Sequence, residues 1–288
     1  MTSLNSYLPL LLAYITDVRG RSTSTSNAYR NDLVRFITYL GERNIATPQQ
    51  VSTEMIENYL QEQQTTMTTK ARSRSAITTF FRFLIRRGAI VIDPCLNLET
   101  IKIVSKEPTY LTPDQSKALV AAARRATPYY RARDVAIVHL FLKSGIRRAE
   151  LAGLNVEDVS LEMGTMRVLR KGGRSQTLPL HRELKADLAT YLAHIERISG
   201  PLFLSKRHGR LSASELWHLI RKYSKQAGLP HTTSCHTLRH TFASTLLAQD
   251  VQLRYIQSLL NHKNLNMTAK YLHFQDGKLL SALSEVTF

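Results

Sequence analysis

Cysteine is nearly absent from this sequence. Cys95 and Cys235 are the only two among 288 residues, and they lie far apart with no C-x-x-C pair. That argues against a disulfide framework and a cysteine zinc site, and makes a reducing cytoplasm the expected compartment. Acids are also scarce: 22 Asp and Glu stand against 39 Lys and Arg, a net charge of +17. A chain this basic usually faces a polyanion. Long apolar runs are missing too. No stretch reaches the ~18 consecutive residues of a membrane helix, so no membrane partner is expected. The N-terminal segment has an apolar patch but no basic leader, and Asp17 follows at once; it reads as a helix rather than a signal peptide. With 43% hydrophobic residues the chain is not globally disordered. At roughly 150 residues per domain, about two domains are expected.

The first hundred residues read as helices. Tyr29, Leu33, Phe36 and Leu40 recur at helical spacing within 24–40, with Ser24, Ser26 or Asn27 as the expected cap. A second helix fits 52–63, with Thr53 ahead and Ile56 and Leu60 on one side, and a third fits 68–87, closed by Gly88. Between Thr66 and Ile92 this third segment carries Lys70, Arg72, Arg74, Arg82, Arg86 and Arg87 and no acid. A solvated helix face usually mixes signs. A single-sign face beside the apolar stripe of Ala76, Phe80, Phe83 and Leu84 favours phosphate contact, so these six are the candidate DNA-binding residues.

Residues 93–110 read as a linker bracketed by Pro94 and Pro108, giving domains over 1–92 and 111–288 with the boundary near 104. Thr112 and Pro113 mark an N-cap and first helical position. Helices fit 113–126, 131–144, 181–197, 213–227, 237–249, 253–260, 267–274 and 279–285. Among them, Met163-Gly164 and Gly172-Gly173 punctuate short alternating runs, which reads as a hairpin or a three-stranded sheet. The expected fold is mainly α with a small antiparallel β-sheet.

Four clusters in the second domain carry chemistry-bearing residues. At Gly145-Ile146-Arg147-Arg148-Ala149-Glu150-Leu151 a glycine ends one helix and an arginine pair opens the next, where a forked guanidinium joins backbone N–H donors suited to phosphate. Lys171 sits in the turn Arg170-Lys171-Gly172-Gly173-Arg174. In His236-Thr237-Leu238-Arg239-His240 the histidines are spaced i, i+4, with His231 and Cys235 nearby. The zinc pattern wants glutamate where Thr237 stands. The other reading pairs His236 with Arg239 one turn on, an imidazole for proton transfer beside a phosphate-gripping guanidinium. Leu259-Leu260-Asn261-His262 is followed nine residues later by Tyr271. Each cluster alone has an ordinary reading as surface arginine, solvated turn or packed ring.

Together, in order and spacing, the clusters resemble those of the tyrosine site-specific recombinases, the phage-integrase and Xer-like group. Gly145-Ile146-Arg147-x-x-Glu150-Leu151 is similar to the first arginine box, Lys171 to the hairpin lysine, His236-x-x-Arg239-His240 to the second box, and Leu259-Leu260-Asn261-His262 with Tyr271 to the third box and nucleophile. Tyr29-x-x-Asp32-Leu33-x-x-Phe36 and Ala76 through Gly88 resemble the family's helical core-binding domain, so the likeness spans essentially the whole chain. Asn261 replaces the usual glycine before His262, and Met267 stands where threonine is common. Asparagine tolerates a left-handed backbone, so the turn is expected to survive.

The resemblance implies a two-domain DNA clamp, with a helical core-binding domain and a mixed α/β catalytic domain. It implies strand cleavage and rejoining through a 3′-phosphotyrosine, without ATP, metal or other cofactor. Arg147 and Arg239 would clamp the non-bridging phosphate oxygens, His262 would add a hydrogen bond, and His236 would accept the proton of Tyr271. Lys171 would protonate the departing 5′ oxygen. Glu150 would hold Arg147 by an ion pair, and His240 would give structural support. The implied partners are a double-stranded recombination site, a homo-tetramer or related recombinase subunit joined by exchange of the C-terminal tail, and an accessory protein. The task would be replicon dimer resolution or element integration and excision beside the nucleoid; the short stretch before Ser24 leans toward a simple Xer-like or transposon-borne enzyme. Three alternatives remain: a non-catalytic DNA-binding protein on the same fold, a type IB topoisomerase-like activity, and a zinc hydrolase built on His231, His236 and His240.

Overall fold

The computed structural model describes residues 3–21, 23–103, 108–170, 172–195 and 197–261. The chain divides into two compact units, Met1–Ser105 and Lys106–Phe288. Each has its own apolar core.

Among the described residues the first unit holds four α-helices: α1 (Leu4–Ala13), α2 (Thr23–Gly41), α3 (Thr53–Glu62) and α4 (Met67–Arg86). The expected apolar stripes are the buried ones. Leu33, Phe36 and Leu40 of α2 pack with Ile56, Tyr59 and Leu60 of α3 and with Ala76, Phe80, Phe81, Phe83 and Leu84 of α4. Phe36 sits at the centre, with ring centroids 5.0 Å from Tyr59 and 6.4 Å from Phe81. The caps differ from the sequence expectation. Ser52, with an extended backbone, accepts the amide of Met55 and caps α3, while Thr53 is already helical. The second helix begins at Thr23, which puts Ser24, Ser26 and Asn27 inside it. A cap must stand outside the helix with non-helical dihedrals, and neighbouring Ser and Thr leave that position ambiguous in sequence. An ion pair crosses this core: the buried Asp32 carboxylate receives Nε and Nη2 of Arg72 at 2.8 and 3.0 Å, tying α2 to α4.

The second unit runs α5 (Pro113–Arg124), α6 (Pro128–Ser144), α7 (Arg148–Gly153), β1 (Val159–Ser160), β2 (Thr165–Leu169), β3 (Ser175–Pro179), α8 (Arg182–Ala193), α9 (Ala213–Gln226), α10 (Cys235–Ala248) and α11 (Leu253–Leu260). Thr112 caps α5 as expected, accepting from Gln115 N in a capping box with Pro113 next. The strands form one antiparallel sheet in the order β1-β2-β3, with Met166 opposite Leu178 and Val168 opposite Gln176. Met166 and Val168 are buried and Arg167 and Leu169 exposed, the alternation of a half-buried strand. Gly164, Gly172 and Gly173 take positive φ at the turns. Both cysteines are free and buried. Among the described residues, no helix is long and apolar enough to cross a membrane. The expected helices at 267–274 and 279–285, and with them the exchange tail, lie outside the described residues.

Gly145 places the elements of the site. It ends α6 in a left-handed conformation, φ 59°, and a Cβ there would stand 2.4 Å from Phe242 Cδ1 and 2.8 Å from Leu260 Cδ2. The end of α6 can therefore approach α10 and α11 closely only with glycine. Gly145→Ala is expected to lower the stability of the second unit by roughly 2–5 kcal/mol, combining left-handed strain with overpacking. Urea denaturation would measure it, and a change below about 1 kcal/mol would show that this packing gives way cheaply.

Candidate active site

Three arginines gather around one glutamate and the end of one helix. Arg147 is the N-cap of α7, and Glu150 lies one turn on. The Glu150 carboxylate accepts Nη1 of Arg147 at 2.9 Å and the Arg147 backbone amide at 2.9 Å, so the pairing expected from the sequence is present. The same carboxylate accepts Nη1 of Arg170, at the end of β2, at 2.6 Å. Arg239 comes from α10 and is 2% exposed. Its Nη1 reaches Gly145 O at 2.5 Å and its Nη2 reaches Leu260 O at 2.6 Å. Arg147 Nη2 reaches Asn261 O at 3.3 Å. Asn261 is left-handed, φ 48° and ψ 53°, so asparagine does take the turn conformation that glycine would supply.

Electrostatically, the cluster sets three guanidinia against the one buried carboxylate of Glu150. Two positive charges in excess at low solvent exposure form a strong local field, since a lower effective dielectric strengthens every charge. Burial pulls the Arg170 guanidinium below the ordinary arginine value, and the charge and hydrogen bond of Glu150 push the other way. Arg147 is the more accessible of the pair with Glu150, its side chain 35% exposed against 6% for the glutamate.

His236 lies in the first turn of α10 at the surface, while Arg239 one turn on points inward. The rings of His236 and His240 meet edge to face with centroids 4.5 Å apart. Among the described residues, no group of three His, Cys, Asp or Glu could hold a metal ion. Lys171, His262 and Tyr271 lie outside the described residues. Two other tyrosines of this unit are ill placed for nucleophilic attack. Tyr223 is buried and donates to Asp134 Oδ2 at 2.5 Å, and Tyr191 is buried and donates to Leu202 O at 2.8 Å. Burial pushes both phenols up from their ordinary value, Tyr223 the further. Tyr255 is exposed beside Arg254.

The sequence did not single out Arg170 or Gln176. Both read as hairpin surface, yet Arg170 is 3% exposed and Gln176 Nε2 donates to Ser258 O at 2.9 Å. The only signal available was a large cation beside a glycine turn. A cavity of about 470 Å³ opens between this hairpin and α11, lined by Arg170, Arg174, Gln176, Arg254, Ser258 and Asn261 among others, with no carboxylate among the described residues of its lining.

In the first unit the six basic residues of α4 and its C-cap divide. Arg72 is taken by Asp32 and Arg74 Nη2 by Leu98 O at 2.6 Å, and Lys70 Nζ caps Gln61 O at 3.0 Å. Arg82, Arg86 and Arg87 are exposed at the C-terminal end of α4. Arg82 and Arg86 line a cavity of about 290 Å³ with Arg19 and Tyr14, and Arg86 Nη1 donates to Tyr14 Oη at 2.5 Å.

Residues 109–278 match the family model described as "Phage integrase family", and residues 8–88 match "Phage integrase, N-terminal SAM-like domain". The chain is 36% identical to the tyrosine recombinase XerC of Thermodesulfovibrio yellowstonii over 285 residues, covering 95% of this chain and 93% of that one. It is 32% identical to the tyrosine recombinase XerD of Shewanella oneidensis, covering 94% of each. A crystal structure of a XerH site-specific recombinase bound to a palindromic difH substrate shares the fold, with a TM-score of 0.76 and 21% identity over 93% of this chain and 81% of that one.

Proposed function

The chain belongs to the phage integrase family of tyrosine recombinases, enzymes of DNA strand cleavage and rejoining, and from that premise we propose that it acts by a 3′-phosphotyrosine mechanism with Tyr271 as nucleophile. The observation that carries this reading is the convergence of Arg147 and Arg239 on the adjacent carbonyls of Asn261 and Leu260. Two guanidinia so fixed suit the non-bridging oxygens of one phosphodiester, whose charge grows as attack proceeds. Tyr271 Oη forms the new bond to phosphorus and its proton passes to His236. The bond to the 5′ oxygen breaks, and that oxygen takes a proton from the Lys171 ammonium. His262 donates to a non-bridging oxygen. The ester energy is kept in the phosphotyrosyl link, so a partner strand's 5′-hydroxyl reverses the step without ATP. The arginines and Lys171 supply the charge neutralisation that a metal gives elsewhere.

In the same reading the substrate is a double-stranded site. Residues 1–92 are the core-binding domain, 93–110 the linker, and 111–288 the catalytic domain with its exchange tail. Arg82, Arg86 and Arg87 face phosphates. Arg72 acts first as a tie within the domain, as its pairing with Asp32 supports, and Arg74 holds the start of the linker, whose Cys95 and Leu98 pack in the core of the first unit. Four copies, or copies with a related subunit, assemble on two sites.

Lys171 provides a test of the chemistry. An ammonium with an ordinary pKa of ~10.4 is a competent acid for an alkoxide, whereas a thiolate, with thiol pKa ~8.5, leaves without a proton. Lys171→Ala should cleave ordinary DNA slowly and recover substantially on a substrate with sulfur at the 5′ bridging position. Equal slowness on both substrates would assign the lysine to another step.

A further inference from the structure

The last turn of a helix leaves carbonyls without intrahelical partners, and at the end of α11 side chains reach four in succession, from Ser258, whose carbonyl also accepts Asn261 N at 3.0 Å, to the cap residue Asn261. Gln176 Nε2 holds Ser258 O at 2.9 Å, Arg170 Nη2 holds Leu259 O at 3.0 Å, Arg239 Nη2 holds Leu260 O at 2.6 Å, and Arg147 Nη2 holds Asn261 O at 3.3 Å. Arg239 and Arg147 belong to the reaction proposed above. Arg170 and Gln176 come from the two ends of the β2–β3 turn, and Arg170 Nε donates to Gln176 Oε1 at 2.9 Å. The negative end of the helix dipole thus faces three cations at once.

We propose that Arg170 is a positioning residue for strand cleavage, which seats the turn carrying Lys171 on the end of α11 and joins it, through the shared Glu150 carboxylate, to Arg147. The proposal rests on the acid role given to Lys171 above. Arg170 is the residue before Lys171, and its backbone closes the turn: its amide donates to Arg174 O at 2.7 Å and its carbonyl accepts from Gly173 N at 3.2 Å. The turn residues around it, Gly172, Gly173 and Arg174, are exposed, whereas the Arg170 side chain is 1% exposed. Removing a guanidinium from water is costly unless its donors are satisfied. Here Nε, Nη1 and Nη2 each have a partner, on three separate segments: Gln176, Glu150 and Leu259. The fork geometry matters, because a lysine would offer one point charge in place of three fixed directions. A turn so held fixes the backbone on both sides of residue 171 relative to Glu150 and the end of α11, and displacement of about 1 Å at a reacting site costs roughly a hundredfold in rate.

The experiment compares single-turnover cleavage by the full chain carrying Arg170→Ala, Arg170→Lys or Lys171→Ala. Each is assayed on ordinary DNA and on the 5′-bridging phosphorothiolate, with half-site binding measured in parallel. Arg170→Ala should cleave ordinary DNA roughly ten- to a hundredfold more slowly and recover by about tenfold or more on the sulfur substrate, because a displaced lysine is no longer needed there. The part of the deficit that remains on the sulfur substrate after that recovery reports the disturbed Arg147. Loss of packing alone would slow both substrates equally. Arg170→Lys keeps the charge and should show the same selective recovery, so it decides the matter if the alanine variant fails to fold. Wild-type cleavage by Arg170→Ala, or equal slowness on both substrates while Lys171→Ala recovers, would overturn the positioning role. Failure of Lys171→Ala itself to recover would remove the acid role, and this proposal with it.

Discussion

Replacing Arg147 by alanine should slow strand cleavage by about 10²–10³-fold, the loss expected when one fixed donor to a developing oxyanion is removed, or roughly 2.7–4 kcal/mol of barrier. Half-site binding should stay within a few fold, because one phosphate contact among many is lost. The fold should tolerate the change. Arg147 is partly exposed, and the Glu150 carboxylate that it leaves behind keeps Arg170 at 2.6 Å. Arg239 requires a different substitution. It is buried and supports carbonyls on two segments, so Arg239→Ala would also remove the tie between Gly145 and Leu260. Arg239→Lys keeps a charge and surrenders the fork, and should be slow by a similar factor while lowering the melting temperature less than Arg239→Ala. Single-turnover cleavage of a suicide substrate measures both variants. Cleavage within about threefold of wild type for Arg147→Ala would exclude that guanidinium from transition-state stabilisation.

The parts of this structure that were legible in the sequence are those with local signals. The apolar stripes of α2 and α4 follow helical spacing, Thr112-Pro113 announces α5, and the glycines mark the hairpin turns. The Arg147–Glu150 pair was legible because its partners lie one turn apart. The left-handed Asn261 was legible because few residue types take that conformation. What was not legible is long-range. Arg170 meets Leu259 and Asp32 meets Arg72 across stretches of chain that leave no periodic trace. A buried arginine in a glycine-rich turn looks, in sequence, the same as a solvated one. For that reason the run from Lys70 to Arg87 looked uniform, although Arg72 and Arg74 serve the domain's own cohesion. The caps of α2 and α3 slipped by a residue or more because Ser and Thr crowd those starts, and only backbone dihedrals choose among them.

The largest effect is expected at Tyr271. Tyr271→Phe removes one oxygen, the atom that forms the bond to phosphorus, so covalent attachment should vanish while folding and DNA affinity persist. Among the tyrosines of the second unit, Tyr191 and Tyr223 are buried, each donating its phenol to a fixed acceptor, and burial raises the cost of ionising them. An unperturbed phenol near pKa ~10 needs both a base and a positive surrounding to attack. Lys270 precedes Tyr271 in the sequence and His273 follows it closely. The direct measurement uses a nicked site that loses a short 5′-hydroxyl fragment after cleavage and so traps the adduct. A denaturant-stable protein–DNA band is isolated and its modified peptide mapped by mass spectrometry. Wild type should give that band with phosphate on Tyr271, and Tyr271→Phe should give none. A band of normal yield from Tyr271→Phe, or an adduct on Tyr255 or any other residue, would contradict the mechanism proposed for this chain.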